Sequence, residues 1–164
     1  MKKIWSLFLL LSLFFILGGC IQNNKRNSAP SVKISQKKIN RQDSQKIIIT
    51  IKNKKLTAHL NNSSAAKTFS KGLPKTLSFR DYPGLPEKIA DLGYKLPTDG
   101  MPKGHAGTRG SIGYWSPQRR IVFYWGTEDY YEGIHIIGHF DTNEYRSIIK
   151  NMGNNVNVRI TRAE

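Results

Sequence analysis

The sequence predicts a mainly β fold, a closed or nearly closed antiparallel β-barrel with two short helices. Two observations lead to this prediction. Short runs of β-branched and aromatic residues recur along the second half of the chain, separated by Gly, Pro and acidic residues, which is typical of strands. The predicted order is strand, strand, helix, about five strands, helix, strand, which indicates a barrel with helices covering its ends.

The centre of this prediction lies between Gly110 and Phe140. Three strands are predicted there, at Ser111 to Trp115, Arg120 to Trp125 and Ile134 to Phe140. The first gap is short enough for a hairpin. The middle strand is apolar on both alternating faces, so we expect one face in the core and the other half covered, as in a barrel whose outer wall carries a helix.

The segments before this centre begin with a hairpin. Lys46 to Ile51 and Leu56 to Leu60 flank a short polar link, the pattern of two paired strands. An Asn or Ser cap at residues 62–64 then precedes alanines and Phe69, and Gly72 ends the pattern. This combination predicts a helix of about eight to ten residues.

The middle of the chain is less regular. Thr76 to Phe79 predicts a strand and Arg80 to Gly84 a turn, whereas Glu87 to Leu92 fits either a strand or a short helix. Leu96 to Thr108 is rich in Gly and Pro and predicts a long loop. Loops longer than about 12 residues in a compact domain are often functional.

The C-terminal part predicts a helix followed by a closing strand. Asp141 and Glu144 have the spacing of a capping box, and apolar residues then recur at helical spacing as far as Met152. Gly153 stands where a helix stop belongs. Asn155 to Thr161 alternates apolar and polar residues, which predicts the last strand.

The first twenty residues have the pattern of a targeting segment. Lys2 and Lys3 precede an apolar run from Ile4 to Leu17, shorter than the roughly 20 residues that a membrane-spanning helix needs. Leu17-Gly18-Gly19-Cys20 then matches the bacterial lipoprotein box, and Cys20 is the only cysteine of the chain. We therefore expect a signal peptide at residues 1–19. A plain secretory signal with a chance cysteine is the alternative.

Acyl chains such as palmitate on Cys20 would anchor the protein to the cell membrane, facing outside the cytoplasm. Residues 20–45 are rich in Asn, Gln, Ser and Lys, which predicts a disordered basic tether, and residues 46–164 form the predicted barrel domain. The net charge of +15 is spread along the chain, with eighteen basic against ten acidic residues in the barrel domain. This charge favours an anionic leaflet. No recognition motif for nucleic acid accompanies it, so no nucleic-acid partner is expected.

The strand and helix order resembles that of the cyclophilin-like fold proteins of bacteria, a compact branch of the cyclophilin superfamily. The resemblance covers roughly Lys46 to Arg162 and rests on three segments. These are Gly110 to Trp115, Ile121 to Gly126, and Gly133 to Phe140, the last with a His before two β-branched residues and a Gly. The resemblance implies the same barrel fold.

A resemblance to the prolyl-isomerising cyclophilins implies an Arg on an early strand, aromatic residues on a later strand and a His in the groove. The counterparts here are Arg80, Phe123 with Tyr124, and His135. The Phe-His-Arg signature is absent, and no Gln precedes the aromatic pair. The candidate catalytic residues are Arg80, Arg109 and His135.

Prolyl isomerisation needs an apolar pocket and a cation near the proline nitrogen, which lowers a barrier of about 18–20 kcal/mol. Arg80 or Arg109 would supply that cation, unless both are solvated loop arginines. His135 and His139 share a strand face but lie about 13 Å apart, too far to share one metal ion. We therefore expect no metal and no cofactor.

A second candidate site lies between the last two central strands. Glu128, Asp129 and Glu132, with two tyrosines between them, predict either an acidic, aromatic rim that binds a peptide or cation, or a plain exposed loop. Trp115 and Trp125 are expected in the core more often than in a ligand site. The candidate ligand-binding residues are Phe123, Tyr124, Trp125, Tyr130 and Tyr131.

Two functions follow as hypotheses. The first is a lipid-anchored binding module whose shallow groove takes a peptide or small molecule without chemistry of its own. The second is an extracytoplasmic peptidyl-prolyl isomerase that uses the candidate catalytic residues.

Overall fold

The computed structural model of the protein describes residues 45–164. The predicted signal peptide, the acylation of Cys20 and nearly all of the predicted tether therefore lie outside the described residues. Within the described part, no helix has the length and apolar character needed to cross a bilayer.

The described residues begin and end with barrel strands. In chain order, the elements are β1 (Gln45–Ile51), β2 (Lys54–Leu60), α1 (Ser64–Lys71), β3 (Lys75–Asp81), β4 (Glu87–Asp91), β5 (Gly104–Ala106), β6 (Ser111–Trp115), β7 (Arg120–Tyr124), β8 (Tyr130–Glu132), β9 (Ile134–Phe140), α2 (Tyr145–Lys150) and β10 (Val156–Arg162).

Eight strands close into one antiparallel barrel in the order β1-β10-β3-β4-β7-β6-β9-β2. The first and last strands close it, with Ile47 opposite Arg162 and Ile51 opposite Val158. The short strands β5 and β8 pair separately, with His105 opposite Tyr131. The predicted fold class is confirmed, because the structure is mainly β with a closed antiparallel barrel and two helices.

Side chains fill the interior of the barrel. Alternate residues of β1 are buried there, and Phe79 stacks on Phe123 with the ring centroids 4.2 Å apart. The helix α2 adds Tyr145, whose ring stacks on Phe140 at 5.1 Å. An eight-stranded barrel is just wide enough for side chains to fill it, so the core is packed like an ordinary protein interior.

The central strand β7 serves two apolar clusters. Ile121 and Phe123 belong to the interior core, whereas Val122 and Tyr124 belong to a smaller cluster on the outer wall. Neither helix contributes to this outer cluster, so the expectation that a helix covers the outer wall is wrong. The helices instead direct their apolar residues into the interior core, among them Ala65, Phe69, Tyr145 and Ile149.

Two predicted boundaries differ from the structure. Arg80 and Asp81 belong to β3 instead of a turn, because they pair with Ile89 and Lys88 of β4. The predicted loop over residues 96–108 contains β5, which pairs with the acidic, aromatic segment. The ambiguous segment that begins at Glu87 is a strand.

The two helix caps also differ from each other. Ser63 caps α1 as predicted, since its hydroxyl accepts a hydrogen bond from the N–H of Ala66 at 3.2 Å. The capping box predicted for α2 is absent, and its N-cap is Glu144 without a side-chain bond. The carboxylate of Asp141 pairs instead with Nδ1 of His59 on β2 at 2.5 Å. A partner on the barrel has replaced the local cap.

Candidate ligand-binding site on the outer wall

A cavity of about 290 Å³ lies on the outer wall of the barrel. It opens over β4 and β7, and we call it the outer-wall cavity. Its lining combines four apolar, four aromatic and four polar side chains. These are Leu85, Ile89, Val122 and Ile134; Tyr82, Trp115, Tyr124 and Tyr131; and Glu87, Gln118, Arg120 and Glu128.

Strand alternation builds the floor of this cavity. Side chains on a strand point alternately to opposite faces, so Glu87 and Ile89 of β4 lie outside while their neighbours point inward. On β7, Tyr124 lies opposite Glu87 and Val122 lies opposite Ile89. The floor is therefore a two-by-two patch of one carboxylate, one phenol and two aliphatic side chains.

Two glycines hold the ring of Tyr124 in place. A Cβ at Gly113 would lie 2.7 Å from Cε2 of the ring, and a Cβ at Gly107 would overlap Cε1 and Cδ1. Because any side chain at either position would displace the ring, Tyr124 occupies a slot that only glycine can flank. Burial raises the pKa of Tyr124, and the carboxylates of Glu87 and Glu128 raise it further. The phenol therefore stays neutral and keeps its proton as a hydrogen-bond donor.

Two buried carboxyl groups face this cavity. Glu87 and Glu128 are each 8% exposed. Burial raises the pKa of Glu87 to about 7, with a further increase from Glu128 and an opposing effect from Arg120. Burial also raises the pKa of Glu128, and Asp129 adds to that increase. Near neutral pH, Glu87 therefore exchanges readily between its neutral and charged forms.

Neither carboxyl group has a side-chain partner within residues 45–164, where no hydrogen bond or ion pair to Glu87 or Glu128 is found, and their oxygens stay accessible from the cavity. The backbone fixes the position of Glu128, since its N–H donates to the carbonyl of Gly107 at 2.7 Å. Buried carboxylates in proteins are normally paired or hydrogen-bonded. An unpaired acidic group in an open cavity is thus available to a ligand.

Arg120 lies at the edge of the cavity and forms a hydrogen-bonded ion pair with Asp91, which lies outside the cavity. Its Nε donates to Oδ1 of Asp91 at 3.0 Å, and Nη2 of Arg80 lies 2.9 Å from Oδ2 of the same residue. Burial acts to raise the pKa of Asp91, but the hydrogen bonds and charges of the two arginines lower it overall. Asp91 therefore stays ionised and holds both guanidinium groups.

Only two of the five predicted ligand-binding residues line the outer-wall cavity, and the other three lie in or against the interior core or on exposed β8. Tyr124 and Tyr131 line the outer-wall cavity. Phe123 lies in the interior core, and Trp125 packs against that core with Nζ of Lys150 5.1 Å from its ring centroid. Tyr130 is 60% exposed on β8 and is not part of the lining.

The structure does not bring the predicted catalytic residues together at this cavity. Arg80 is ion-paired to Asp91, and Arg109 lies exposed in the turn before β6. His135 is buried on the strand face that it shares with Ile137 of the interior core. Burial lowers the pKa of His135, against an opposing backbone hydrogen bond at Pro102. The catalytic roles proposed for these residues stay predictions.

Several lining residues were not singled out from the sequence. The sequence did not identify Glu87 as a site residue because its segment fitted either a strand or a helix. Only a strand places Glu87 on the same face as Ile89. Arg120 and Gln118 belong to the β6–β7 hairpin and had no distinguishing pattern. Trp115, expected in the core more often than at a ligand site, lines the cavity.

Metal ligation has no geometric support here. Among residues 45–164, no group of three His, Cys, Asp or Glu side chains lies close enough to hold a metal ion.

These features define a barrel protein whose interior is filled and whose open space lies on the outer wall. The chain belongs to the cyclophilin-like family, whose sequence pattern matches residues 49–161. A solution structure of the hypothetical protein AF2241 from Archaeoglobus fulgidus is similar, with a TM-score of 0.56 and 14% identity, over 73% of this chain and 95% of that one. This likeness shows the fold alone. A search of curated proteins finds no match.

The burial of Glu87 makes a prediction about stability. The pKa of Glu87 is about 7 in the folded state and ordinarily 4.5. Between pH 4.5 and pH 7, the folded state therefore keeps a proton that the unfolded state has released. Stability from Glu87 is thus fully present below about pH 4.5 and is lost as the pH rises toward 7, by roughly 3 kcal/mol. We expect Glu87→Gln to unfold at higher urea concentration than the parent at pH 8, with the difference disappearing near pH 4.

Glu132→Gln is the matched control, because Glu132 is exposed on β8 and should show no such difference. Equal urea midpoints of the parent and Glu87→Gln at pH 8 would contradict the burial cost.

Proposed function

We propose that this protein is a membrane-anchored, extracytoplasmic lipoprotein whose cyclophilin-like domain binds a small molecule or a peptide segment in the outer-wall cavity. The observation that carries the proposal is the cavity itself, an open space of about 290 Å³ with an apolar floor, aromatic walls and a few convergent polar groups. Ligand sites in proteins typically combine these features. No covalent chemistry is part of this proposal.

The walls of the cavity support binding more than a purely structural role. Tyr131 lines the cavity although it is 51% exposed, and Tyr82 does so at 40% exposure. Large aromatic side chains that stay accessible at the edge of an apolar hollow offer contact area with little loss of conformational entropy on binding. The neighbouring Trp115 provides a spectroscopic reporter in the same wall.

The neighbouring tyrosines Tyr130 and Tyr131 allow a matched test of this site. We expect Tyr131→Ala to weaken the binding of cavity ligands by about tenfold, because one aromatic wall is lost, while Tyr130→Ala leaves affinity unchanged. Binding is measured by the change in tryptophan fluorescence of the full chain in non-ionic detergent. Suitable probes are n-butylamine, 1-pentanol, pentanoate and an N-acetyl-proline amide.

Equal losses in both tyrosine variants would contradict a site in this cavity, and so would the absence of a signal from every probe. In the first case the ligand would lie on the open face of β8 that carries Tyr130. In the second case the domain would lack a small-ligand site on its outer wall.

The membrane anchor rests on the sequence near Cys20. A charged start, a short apolar run and Leu17-Gly18-Gly19-Cys20 are together the pattern of a lipoprotein signal. Acyl chains contribute about 0.8 kcal/mol for each buried CH₂ group, so two or three chains hold a protein stably on a bilayer. The basic residues that follow Cys20 add attraction to an anionic leaflet.

Replacing Cys20 tests the anchor directly. In a bacterial host fed an alkyne-labelled fatty acid, we expect the parent chain to take up the label and to sediment with membranes. Cys20→Ser should lose the label, because it lacks the thiol, and should leave the membrane fraction after cleavage or remain as an uncleaved precursor. Label retained in Cys20→Ser would show that acylation occurs elsewhere.

Prolyl isomerisation is the second candidate function, and one observation favours it. A guanidinium group does lie beside an open, partly aromatic cavity, but it belongs to Arg120, whereas the sequence pointed to Arg80 or Arg109. If the domain is an isomerase, Arg120→Ala should abolish turnover in a coupled proline-isomerisation assay, and Arg109→Ala should not. No turnover in the parent chain would exclude this function.

A further inference from the structure

The outer-wall cavity has a charge pattern opposite to that of the domain around it. The domain holds eighteen basic and ten acidic residues, yet the cavity is lined by two glutamates and one arginine. Both glutamates are more than nine-tenths buried and have no side-chain partner within the described residues. Partial burial of an unpaired carboxylate is unfavourable unless a counter-charge or hydrogen-bond donor compensates for it.

We propose that the cavity selects ligands with a primary ammonium group on an apolar stem, the ammonium lying between Glu87 and Glu128 and the stem on the apolar floor. This inference rests on the proposed function and specifies its ligand class. A free alkylamine and the side chain of a lysine in a peptide share this chemistry. The ammonium supplies three donors for carboxylate oxygens that lack any in the protein.

The apolar and aromatic lining fits the rest of such a ligand. Ile89 and Val122 form the aliphatic half of the floor, next to Glu87, and provide a surface for a short methylene chain. The rings of Tyr82, Trp115 and Tyr131 line the same space. Aromatic faces attract cations when these lie within about 6 Å of the ring centroid, and the attraction increases as water is excluded.

Arg120 limits the number of charges that the ligand carries. Its guanidinium group lines the cavity while donating to Asp91, so its positive charge stays at one edge. There it favours the charged form of Glu87 and repels any cation close to it. A ligand with one ammonium and a neutral far end therefore fits better than a diamine of equal length.

Protonation of Glu87 predicts how ammonium binding in the cavity depends on pH. The groups that face Glu87 are Glu128, Arg120 and Tyr124, with Asp129 adjoining Glu128. The pKa of Glu87 is about 7, whereas an alkylamine stays protonated up to about pH 10. Ammonium binding should therefore strengthen by about tenfold or more between pH 5 and pH 8.

The test compares ligands of similar size and different charge on the full chain in non-ionic detergent, by isothermal titration calorimetry at pH 8. The probes are n-butylamine, Nα-acetyl-lysine amide, 1,4-diaminobutane, 1-pentanol and pentanoate. We expect the two monoamines to bind at least about tenfold tighter than 1-pentanol and pentanoate, and tighter than the diamine. Binding of butylamine but not of the lysine derivative points to a free amine, and tighter binding of the lysine derivative points to lysine side chains. Equal binding shows that the cavity accepts the ammonium group from either source.

Carboxylate variants identify the site. Glu87→Gln and Glu128→Gln should each weaken amine binding by about tenfold and leave 1-pentanol binding unchanged, since the shape of the cavity is kept and only the charge is lost. Glu132→Gln, on the same acidic segment but exposed, should bind amines as the parent does. Glu87→Gln is expected to be more stable than the parent at pH 8, so loss of amine binding in that variant would not reflect unfolding. For Glu128→Gln, unchanged binding of 1-pentanol is the control for folding.

The two proposals fail differently. If 1-pentanol or pentanoate binds as tightly as butylamine and Tyr131→Ala still weakens that binding, the cavity is a ligand site but the ammonium preference is wrong. If no probe binds, the proposed function itself is wrong. Amine binding that is unchanged in Glu87→Gln and Glu128→Gln would also overturn the inference, because the amine would then lie outside this cavity.

Discussion

The outer-wall cavity depends on one constraint, which is that β7 buries side chains on both of its faces. Ile121 and Phe123 complete the packing of the interior, and Val122 and Tyr124 form part of the outer cluster. An eight-stranded barrel with a filled interior has no room for a ligand inside. The proposed ligand site is therefore on the outside, where the outer face of β7 already presents apolar surface.

Buried carboxylates are an unfavourable feature of that outer surface. Burial disfavours the ionised form of Glu87, so ionising it near neutral pH costs stability that a glutamine would not cost. An outer wall built only for stability would place an apolar or paired side chain opposite Tyr124. Groups with perturbed pKa values in clefts are commonly functional. Among the described residues, Glu87 takes part in no ion pair that would explain its raised pKa. The perturbed group instead lines the outer-wall cavity.

Local patterns predicted the fold better than the candidate site. The β-branched and aromatic content of Ile134 to Phe140 and the alternation in Asn155 to Thr161 depend only on residues near each other in sequence, so the barrel strands and the closing strand were predictable. The acidic, aromatic segment with Glu128 and Tyr131 was also visible, because its residues are adjacent. Glu87 lies about forty residues earlier, and only the pairing of β4 with β7 brings it beside Tyr124. Long-range pairing also explains the errors at Arg80, which extends β3 by pairing with Ile89 of β4 instead of forming a turn, and at Asp141, which pairs with His59 instead of capping α2.

The same electrostatics bears on the choice between binding and isomerisation. Pairing with Asp91 does not by itself prevent Arg120 from acting on a substrate, because Asp91 is about half exposed and such ion pairs contribute only about 0–1 kcal/mol. The more serious obstacle is the pair of glutamates in the same cavity. A cation weakens amide resonance by stabilising charge on the proline nitrogen, and two nearby carboxyl groups oppose that effect whenever they are ionised. One arginine at the edge of the cavity and two acidic groups in its lining therefore support the proposed cationic ligand more than they support isomerisation of a neutral amide, which needs a cation.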